Sequence, residues 1–164
     1  KEMLHSLVLA LKKYRSEDIF VTYSDIYFDS KIFTKIKSKV ESKNIVLIVN
    51  KKWKSVWKKR KKNIIDDCET LDYNSSFILK EIGKKITNVK KVKGQFMGCV
   101  FIPKYRINNF INKYEKIEKK NNKLHLSNFL NFLINKKEII KCIPSYQRWY
   151  EFDDIDDYKN FFKT

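Results

Sequence analysis

The sequence predicts an α/β protein with a doubly wound sheet, in which helices cover both faces of a central set of strands. Helical apolar repeats alternate with short strand-like runs along the first third of the chain. One of these runs, Ile45 to Val49, is apolar at every position, which is typical of a parallel strand covered by helices. The 164 residues are enough for one core, so we expect a single domain over residues 1–164.

The first third of the chain predicts two helices, each paired with a strand. Apolar residues at helical spacing indicate the first helix, namely Leu4, Leu7, Val8 and Leu11. A strand over Ile19 to Tyr23 follows it. Ser30 is the expected N-cap of the second helix, whose apolar positions are Ile32, Phe33, Ile36 and Val40. The run Ile45 to Val49 is then the second strand.

The middle of the chain predicts short strands, because residues 66–102 contain all three glycines and no helical repeat before Arg106. We expect strands over Phe77 to Ile82 and Gln95 to Ile102, the second of which Pro103 ends.

The last third predicts three helices and one strand. Two helices are indicated by apolar spacing, one on Ile107, Phe110, Ile111 and Tyr114 and one on Leu126, Phe129, Leu130 and Leu133. The polar run Lys119 to Lys123 between them is a loop by composition. A strand over Ile139 to Ile143 and a closing helix over Asp154 to Phe162 complete the expected order.

The chain is strongly basic, with 36 Lys and Arg residues against 19 Asp and Glu and a formal net charge of +17. Most of this charge is lysine, which is exposed in any fold, so a solvated surface explains it. The run Lys51 to Lys62, with Trp53 and Trp57 interleaved, is the best candidate for a nucleic-acid patch. A non-catalytic basic binding module therefore stays open as an alternative.

The cysteine and histidine patterns favour no metal or disulfide framework. Cys68, Cys99 and Cys142 are widely spaced and include no CxxC pair, which indicates reduced thiols in a cytoplasmic protein. His5 and His125 are too few and too far apart for a zinc site. No apolar stretch approaches the length of a membrane span and no signal peptide opens the chain, so we expect no membrane partner.

Two acidic motifs near the ends of the chain are the strongest signal for chemistry. Apolar and aromatic residues lead into Asp25 after Ile19 to Ser24, and into Asp153 after Trp149 to Phe152. A carboxylate at the carboxyl end of a strand lies where open α/β sheets bind ligands. Two such carboxylates are a natural site for Mg²⁺ on a nucleotide's phosphates.

Both aspartates also have simpler explanations. Asp25 is an ordinary residue for a turn or an N-cap. Asp153 opens the last helix together with Asp154, Asp156 and Asp157, where carboxylates interact favourably with the helix dipole.

Six short motifs of this chain resemble motifs of the nucleotidyltransferase family and occur in the same order as in that family. They are Tyr23-Ser24-Asp25-Ile26, Trp53-x-x-x-Trp57-x-x-Arg60, Asp67-Cys68-Glu69-Thr70, Glu81-Ile82-Gly83-Lys84-Lys85, Gly94-Gln95-Phe96-Met97-Gly98 and Trp149-Tyr150-Glu151-Phe152-Asp153. The resemblance is greatest to the branch of phosphocholine cytidylyltransferases and the cytidylyltransferases of phosphonate pathways. It runs from about Leu4 to Tyr158 and implies a Rossmann-like doubly wound mixed sheet with a small β-rich insertion on the acceptor side.

The resemblance also implies an activity and its partners. The expected reaction is Mg²⁺-dependent transfer of a nucleoside monophosphate from a nucleoside triphosphate, CTP in this branch, to a small phosphorylated or phosphonate alcohol, with release of pyrophosphate. Such a reaction depends on positioning and charge stabilisation, with no nucleophilic side chain. A sugar-1-phosphate nucleotidyltransferase is the alternative within the wider family. The sequence leaves the acceptor, the base and the oligomeric state open, a homodimer included.

Site residues follow from the same resemblance. Asp25 and Asp153 are the implied Mg²⁺ ligands, and Lys84 is the implied contact to the acceptor phosphate. The residues implied on the acceptor side are Trp53, Glu69, Gly94, Gln95, Phe96, Met97, Trp149, Tyr150 and Glu151. The alternatives are a surface lysine at 84, aromatic residues that belong to the core, and a bulge at Gly98.

One family feature has no counterpart in this sequence. Family members begin with a glycine-rich loop, followed by an arginine and a proline–lysine pair, that binds the triphosphate. No such loop occurs in residues 1–164, which resemble the C-terminal two-thirds of the catalytic domain. We therefore expect this chain by itself to bind CTP weakly and to be inactive.

Overall fold

The computed structural model describes residues 3–37, 43–60, 63–118 and 124–163. Its helices and strands follow in the order α1 (Met3–Lys13), β1 (Ile19–Thr22), β2 (Ile26–Phe28), α2 (Lys31–Lys37), β3 (Ile45–Asn50), α3 (Trp53–Arg60), α4 (Ile64–Asp67), β4 (Glu69–Tyr73), β5 (Leu79–Lys85), β6 (Gln95–Ile102), α5 (Lys104–Glu118), α6 (Leu126–Asn135), β7 (Ile140–Ser145), β8 (Trp149–Glu151) and α7 (Ile155–Phe162). A 3-10 turn, Val89–Lys91, precedes β6.

A mixed sheet of four strands, in the order β1-β6-β3-β7, forms the centre of the molecule. Strand β6 runs antiparallel to both of its neighbours, whereas β3 and β7 are parallel. The α/β class and the mixed sheet predicted from the sequence are therefore confirmed.

Strand β3 divides the interior into two apolar cores, and all six of its residues are buried. Ile45, Leu47 and Val49 face the core formed with α1, α5 and α6. Val46 and Ile48 face the core formed with α2 and α3. Side chains alternate along a strand, so a run apolar at every position is buried only when both faces of the sheet are covered.

Most predicted elements agree with the structure within a few residues. Strand β6 has the predicted bounds Gln95–Ile102, and Pro103 follows it directly. The glycine in this strand marks an irregularity, since the register with β3 shifts between Leu47 and Val49 and Gly98 adopts a φ of +68°. This irregularity agrees with the bulge that was the alternative explanation for Gly98. Val40 and the loop 119–123 lie outside the described residues.

The acidic motifs differ from the prediction in one respect. We expected both carboxylates at the ends of strands in the central sheet. Instead β8, which precedes Asp153, pairs with β2 in a separate two-stranded sheet, and Asp25 lies between β1 and β2. Strands of three residues carry too little periodicity to reveal this pairing in the sequence.

A second small sheet forms the β-rich insertion. Strands β4 and β5 pair as an antiparallel hairpin, and β5 packs against α6. At this contact Gly83 has a φ of +83°, and a side-chain Cβ there would lie 3.0 Å from the backbone carbon of Ser127. The glycine therefore allows the hairpin to approach α6 closely.

Within the described ranges, no helix has both the length and the apolar character that crossing a bilayer requires.

Candidate active site

The pairing of β2 with β8 places the two acidic motifs side by side. Ile26 lies opposite Glu151 in this antiparallel ladder. Beyond it, the backbone N–H of Phe152 donates to the carbonyl oxygen of Asp25 at 2.9 Å. Asp25 and Asp153 therefore flank the same end of one ladder, although 128 positions separate them in the sequence.

Beside this end lies a cavity of about 290 Å³ whose lining is acidic and aromatic. Its carboxylates are Asp67, Glu69, Glu151 and Asp153, and its aromatic residues are Tyr23, Trp57 and Phe96. No lysine or arginine lines it within the part of the chain that the structure describes. The cavity is thus suited to a ligand group that carries positive charge or a metal ion.

Gly98 holds the aromatic wall in place. The backbone N–H of Tyr23 donates to the carbonyl oxygen of Gly98 at 3.0 Å. A Cβ at Gly98 would lie 2.8 Å from Cγ of Tyr23, so only glycine lets the ring rest on β6. The ring of Tyr23 then meets the ring of Phe96 edge-on, with centroids 5.8 Å apart.

Negative charge also surrounds the hydroxyl of Tyr23. Burial raises the pKa of Tyr23 above its ordinary value, and the nearby carboxylates Glu69, Glu151 and Asp25 raise it further. The phenol is therefore neutral at physiological pH and keeps its proton as a hydrogen-bond donor.

Arg60 organises the carboxylates behind the cavity. Its guanidinium binds Asp157 with two hydrogen bonds, Nε to Oδ1 at 2.9 Å and Nη2 to Oδ2 at 3.0 Å. It also donates from Nη1 to Glu151 Oε2 at 3.1 Å and from Nη2 to Asp153. Nη1 lies 3.8 Å from Asp67 Oδ2. One buried cation thus contacts four carboxylates and fixes their positions.

The balance of charge in this cluster is negative. Burial alone would lower the pKa of Arg60, but the hydrogen bond to Asp157 and the charges of Asp153 and Asp157 raise it. Burial, with the charge of Asp153 next in effect, raises the pKa of Glu151 to about 7, although Arg60 opposes the shift. A single guanidinium does not neutralise this many carboxylates, so the cluster would be stabilised by a further cation.

The structure brings five of the predicted site residues to this cavity. They are Glu69, Gln95, Phe96, Glu151 and Asp153. Asp25 lies close enough for its charge to act on both Tyr23 and Glu151. Ser127 donates from Oγ to Glu69 Oε1 at 3.1 Å, which orients that carboxylate at the cavity wall.

Other predicted residues lie elsewhere. Met97 is fully buried, and its carbonyl oxygen accepts from Trp149 Nε1 at 3.0 Å. Trp149 and Tyr150 are buried and line a different cavity, and Trp53 belongs to the core. Gly94 packs on β3, where a Cβ would collide with Cγ1 of Val49. Met97, Trp53 and Gly94 thus make packing contacts, and a role of these residues in binding the acceptor stays a prediction.

The structure does not place Lys84 in the cavity either. Its ammonium binds Glu81 Oε2 at 2.5 Å, and its backbone N–H donates to Thr70 Oγ1 at 3.2 Å. Lys84 lines a separate cavity of about 680 Å³ on the hairpin. The contact of Lys84 with an acceptor phosphate stays a prediction.

Sequence reasoning missed Tyr23, Trp57, Asp67 and Arg60 as site residues. The buried face of α3 consists of Trp53, Val56, Trp57 and Arg60. Their helical spacing in the sequence indicates that they share one face of a helix. An arginine on an otherwise apolar face requires buried carboxylate partners. Trp57 in turn donates from Nε1 to Asp67 Oδ2 at 2.7 Å, which joins the aromatic wall to the acidic cluster.

The burial of Trp53 and Trp57 also bears on the nucleic-acid alternative. Both side chains are at most 3% exposed, so neither is available to stack on a base. The described part of the run from Lys51 thus presents lysines to solvent without the aromatic platform that single-strand binding uses.

This chain is similar in sequence to a known cytidylyltransferase. The chain is 28% identical over 149 residues to a CTP:phosphoglutamine cytidylyltransferase from Campylobacter jejuni, which covers 86% of this chain and 57% of the relative. No protein-family model matches the chain.

Two solved structures have a similar fold. An inositol-1-phosphate CTP transferase from T. maritima superposes with a TM-score of 0.69 at 17% identity, over 95% of this chain and 57% of that one. A CTP:phosphocholine cytidylyltransferase from Streptococcus pneumoniae gives a TM-score of 0.66 at 14% identity, over 99% and 63%. The chain therefore spans about three-fifths of the length of the proteins it matches.

Proposed function

We propose that this chain belongs to the nucleotidyltransferase family and forms the acceptor-binding part of a Mg²⁺-dependent cytidylyltransferase. In the proposed reaction, an oxygen of a small phosphorylated or phosphonate acceptor attacks the α-phosphorus of CTP. The bond from that phosphorus to the bridging oxygen breaks, and pyrophosphate leaves. The name of the Campylobacter jejuni relative, with CTP and a phosphorylated acceptor, supports this choice.

The observation that carries the proposal is the position of the acidic and aromatic cavity beside the paired aspartates. The β2–β8 ladder presents Asp25 and Asp153 together, and the cavity lined by Trp57 and Glu69 adjoins them. A reaction between two anionic phosphates needs a cation at the point of attack and a pocket that positions the acceptor. Two neighbouring carboxylates that could hold the cation, and a cavity beside them, support the proposal.

The donor set at the ladder end fits Mg²⁺. Carboxylate oxygens are the ligands that Mg²⁺ prefers, and it completes its shell with water and substrate phosphates. No group of three or more His, Cys, Asp or Glu side chains that could hold a metal occurs in the described residues, so a site of two carboxylates is the one proposed. The side chain of Asp153 is 41% exposed, which leaves it accessible to an ion.

Asp25 and Asp153 would hold the ion, and Arg60 would orient Asp153. When bound, Mg²⁺ supplies positive charge to the phosphate oxygens at the reacting centre. The protein contributes position: Arg60 fixes Asp153 and Glu151, and Tyr23, Trp57 and Phe96 form a wall against which the acceptor lies.

The lining favours an acceptor with a cationic head group. Aromatic faces attract cations where water is excluded, and Glu69 and Glu151 add negative charge to the same cavity. A phosphorylated amino alcohol or an aminoalkyl phosphonate would match this lining. A hexose phosphate would instead call for a lining of mainly neutral hydrogen-bonding groups, whereas four carboxylates line this cavity beside Tyr23, Gln95, His125 and Ser127.

The decisive experiment compares acceptors in the complete protein that contains this chain. Pyrophosphate release from CTP and Mg²⁺ is measured with phosphocholine, 2-aminoethylphosphonate and glucose 1-phosphate. We expect kcat/KM to be highest for one of the two amine-bearing acceptors. A preference for glucose 1-phosphate would support the sugar-1-phosphate alternative, and the absence of transfer to any acceptor would contradict the proposed activity.

A binding measurement separates the enzyme from a nucleic-acid module. Mg²⁺-dependent binding of a CDP-alcohol supports the enzyme. Binding to DNA that weakens steeply with salt, without any binding of the CDP-alcohol, would support the module instead.

A further inference from the structure

A second cavity, of about 210 Å³, lies apart from the proposed active site. It is enclosed by the end of β3, by α3, by the connection between β7 and β8, and by Phe161 of α7. Trp149 forms part of its wall and stacks on Trp57, which lines the acidic cavity, with ring centroids 5.9 Å apart and an interplanar angle of 18°. This pair of rings separates the two cavities.

The second cavity is basic where the first is acidic. Three cations line it, Lys52, Lys59 and Arg148, and no carboxylate does so in the described residues. None of these three cations forms an ion pair with a carboxylate of the described chain. The guanidinium of Arg148 is held by aromatic rings instead, 4.6 Å from the ring centre of Phe161 and 5.4 Å from that of Tyr27.

Asn50 supplies an unused hydrogen-bond donor at this cavity. Its side chain is 1% exposed, and its Oδ1 accepts from the backbone N–H of Lys52 at 2.7 Å. Because that partner is a donor, the amide orientation is fixed and Nδ2 points away from it. Nδ2 has no hydrogen-bond partner within the described chain, although a buried N–H normally has one.

Val56, Trp149 and Phe161 form an apolar part of the wall, and the lining is completed by Ser55, Tyr146, Gln147 and Tyr150. A ligand that satisfies both parts of the lining carries a compact anion and a small apolar group. Three cations and an amide donor match a phosphoryl dianion better than a single carboxylate. The volume is below that of pockets for drug-sized molecules, so the ligand is small.

We propose that this cavity is a second, non-catalytic site that binds a small organic phosphate through Asn50, Lys52, Lys59 and Arg148. The site is independent of the proposed reaction, because its lining shares no residue with the acidic cavity.

Phenyl phosphate is a suitable probe, since it joins a phosphoryl dianion to an apolar ring. Its binding to the full protein is measured by titration calorimetry without Mg²⁺ and with EDTA, conditions under which the acidic cavity repels a phosphate. We expect phenyl phosphate to bind more tightly than inorganic phosphate, which lacks the ring, and more tightly than benzenesulfonate, which carries one negative charge. Equal affinities for all three anions would overturn the proposal.

Asn50→Asp is the sharpest variant. It keeps the oxygen that accepts from Lys52 and replaces the N–H donor with negative charge, so affinity for phenyl phosphate should fall by about tenfold or more. The double variant Lys52→Ala/Lys59→Ala should also lose affinity for phenyl phosphate. Both lysines are exposed, so this variant should fold even if the buried substitution Asn50→Asp prevents folding. Lys54→Ala, an exposed lysine of the same helix that does not line the cavity, is the matched control and should bind as wild type.

Two results would contradict the site. Unchanged affinity in the double lysine variant would show that phenyl phosphate binds elsewhere. In the second, a short single-stranded oligonucleotide would displace phenyl phosphate at a lower concentration than a small phosphate does. That result would assign the basic surface to nucleic-acid binding. Either result leaves the cytidylyltransferase proposal intact, because that proposal is tested by transfer to acceptors.

Discussion

The backbone N–H of Phe152 donates to the carbonyl oxygen of Asp25 at 2.9 Å, and this bond joins the two acidic motifs of the chain. It extends the ladder in which Ile26 lies opposite Glu151. Asp25 and Asp153 therefore flank the same end of one hydrogen-bonded ladder. Rigid placement of carboxylates reduces the reorganisation that metal binding costs.

The first prediction concerns metal binding. Asp25→Asn and Asp153→Asn should each lower kcat of the complete protein by about two orders of magnitude or more, because charge on the transferring phosphoryl group is no longer neutralised. At position 153 asparagine keeps an oxygen that accepts from Arg60, so the melting temperature of that variant should change little. Cytidylyl transfer is measured at limiting Mg²⁺. Asp156→Asn, on the exposed side of α7, is the control, and wild-type rates in both test variants would exclude this metal site.

The second prediction concerns the buried cation. Arg60→Met should destabilise the protein by about 3–5 kcal/mol, because the buried carboxylate of Asp157 then loses the cation that pairs with it. Urea unfolding followed by fluorescence measures the change. Lys58→Met, an exposed position of the same helix, should shift the free energy of unfolding by less than about 1 kcal/mol. A similarly small change in the free energy of unfolding for Arg60→Met would show that the buried carboxylates do not need Arg60 for their stability.

The third prediction concerns selection of the acceptor. Glu69→Gln keeps an oxygen that accepts from Ser127 but removes a negative charge from the cavity. KM for an amine-bearing acceptor should rise by about tenfold, as expected for loss of one charge-assisted interaction. KM for CTP should not change. Glu115→Gln, which removes a surface carboxylate paired with Lys12, is the control. An equal rise in KM for both substitutions would mean that the net charge of the protein, and not Glu69 itself, attracts the acceptor.

The fourth prediction concerns the glycine beneath the aromatic wall. Gly98→Ala should destabilise the protein by about 1–3 kcal/mol, because a side chain is strained at the φ of +68° and collides with Tyr23. Part of this cost should disappear in a Tyr23→Ala background, where the ring is absent. Unfolding measurements on the double-mutant cycle separate the two contributions. Full additivity would mean that the ring of Tyr23 does not rest on Gly98.

The fifth prediction concerns pH. Burial raises the pKa of the Cys142 thiol from 9.0 to about 12. The folded state then holds this proton more tightly than the unfolded state, so its contribution to stability is complete below pH 9.0 and is lost as the pH rises toward 12. At pH 10 the loss should be about 1 kcal/mol. Cys142→Ala should show a smaller decline in stability between pH 8 and pH 10; an identical decline would contradict the shifted pKa.

The regular part of the fold was predictable from local patterns. Apolar spacing indicated α1, α5 and α6, and unbroken apolar character indicated β3. These signals are strong because each element buries a long face, and the residues that form the face lie within a few turns or positions of one another.

The candidate site was predictable only in part. The motifs named Asp25, Glu69, Phe96, Glu151 and Asp153, and the structure gathers them around one cavity edge. They also named Trp149, Tyr150 and Met97, which the structure buries. A motif identifies a segment, but the alternation of side chains along a strand decides which of its residues reaches a cavity.

Local patterns in the sequence predicted most of the longer helices and strands, and they showed that an acidic residue ends each of two aromatic runs near the chain termini. Tertiary structure decided that the β2–β8 ladder aligns those motifs, that Arg60 lies among four carboxylates, and that Trp57 and Trp149 separate an acidic cavity from a basic one. Arg60 and Asp157 are 97 positions apart. Local periodicity carries no information about such a pair, because its partners meet only when the chain has packed.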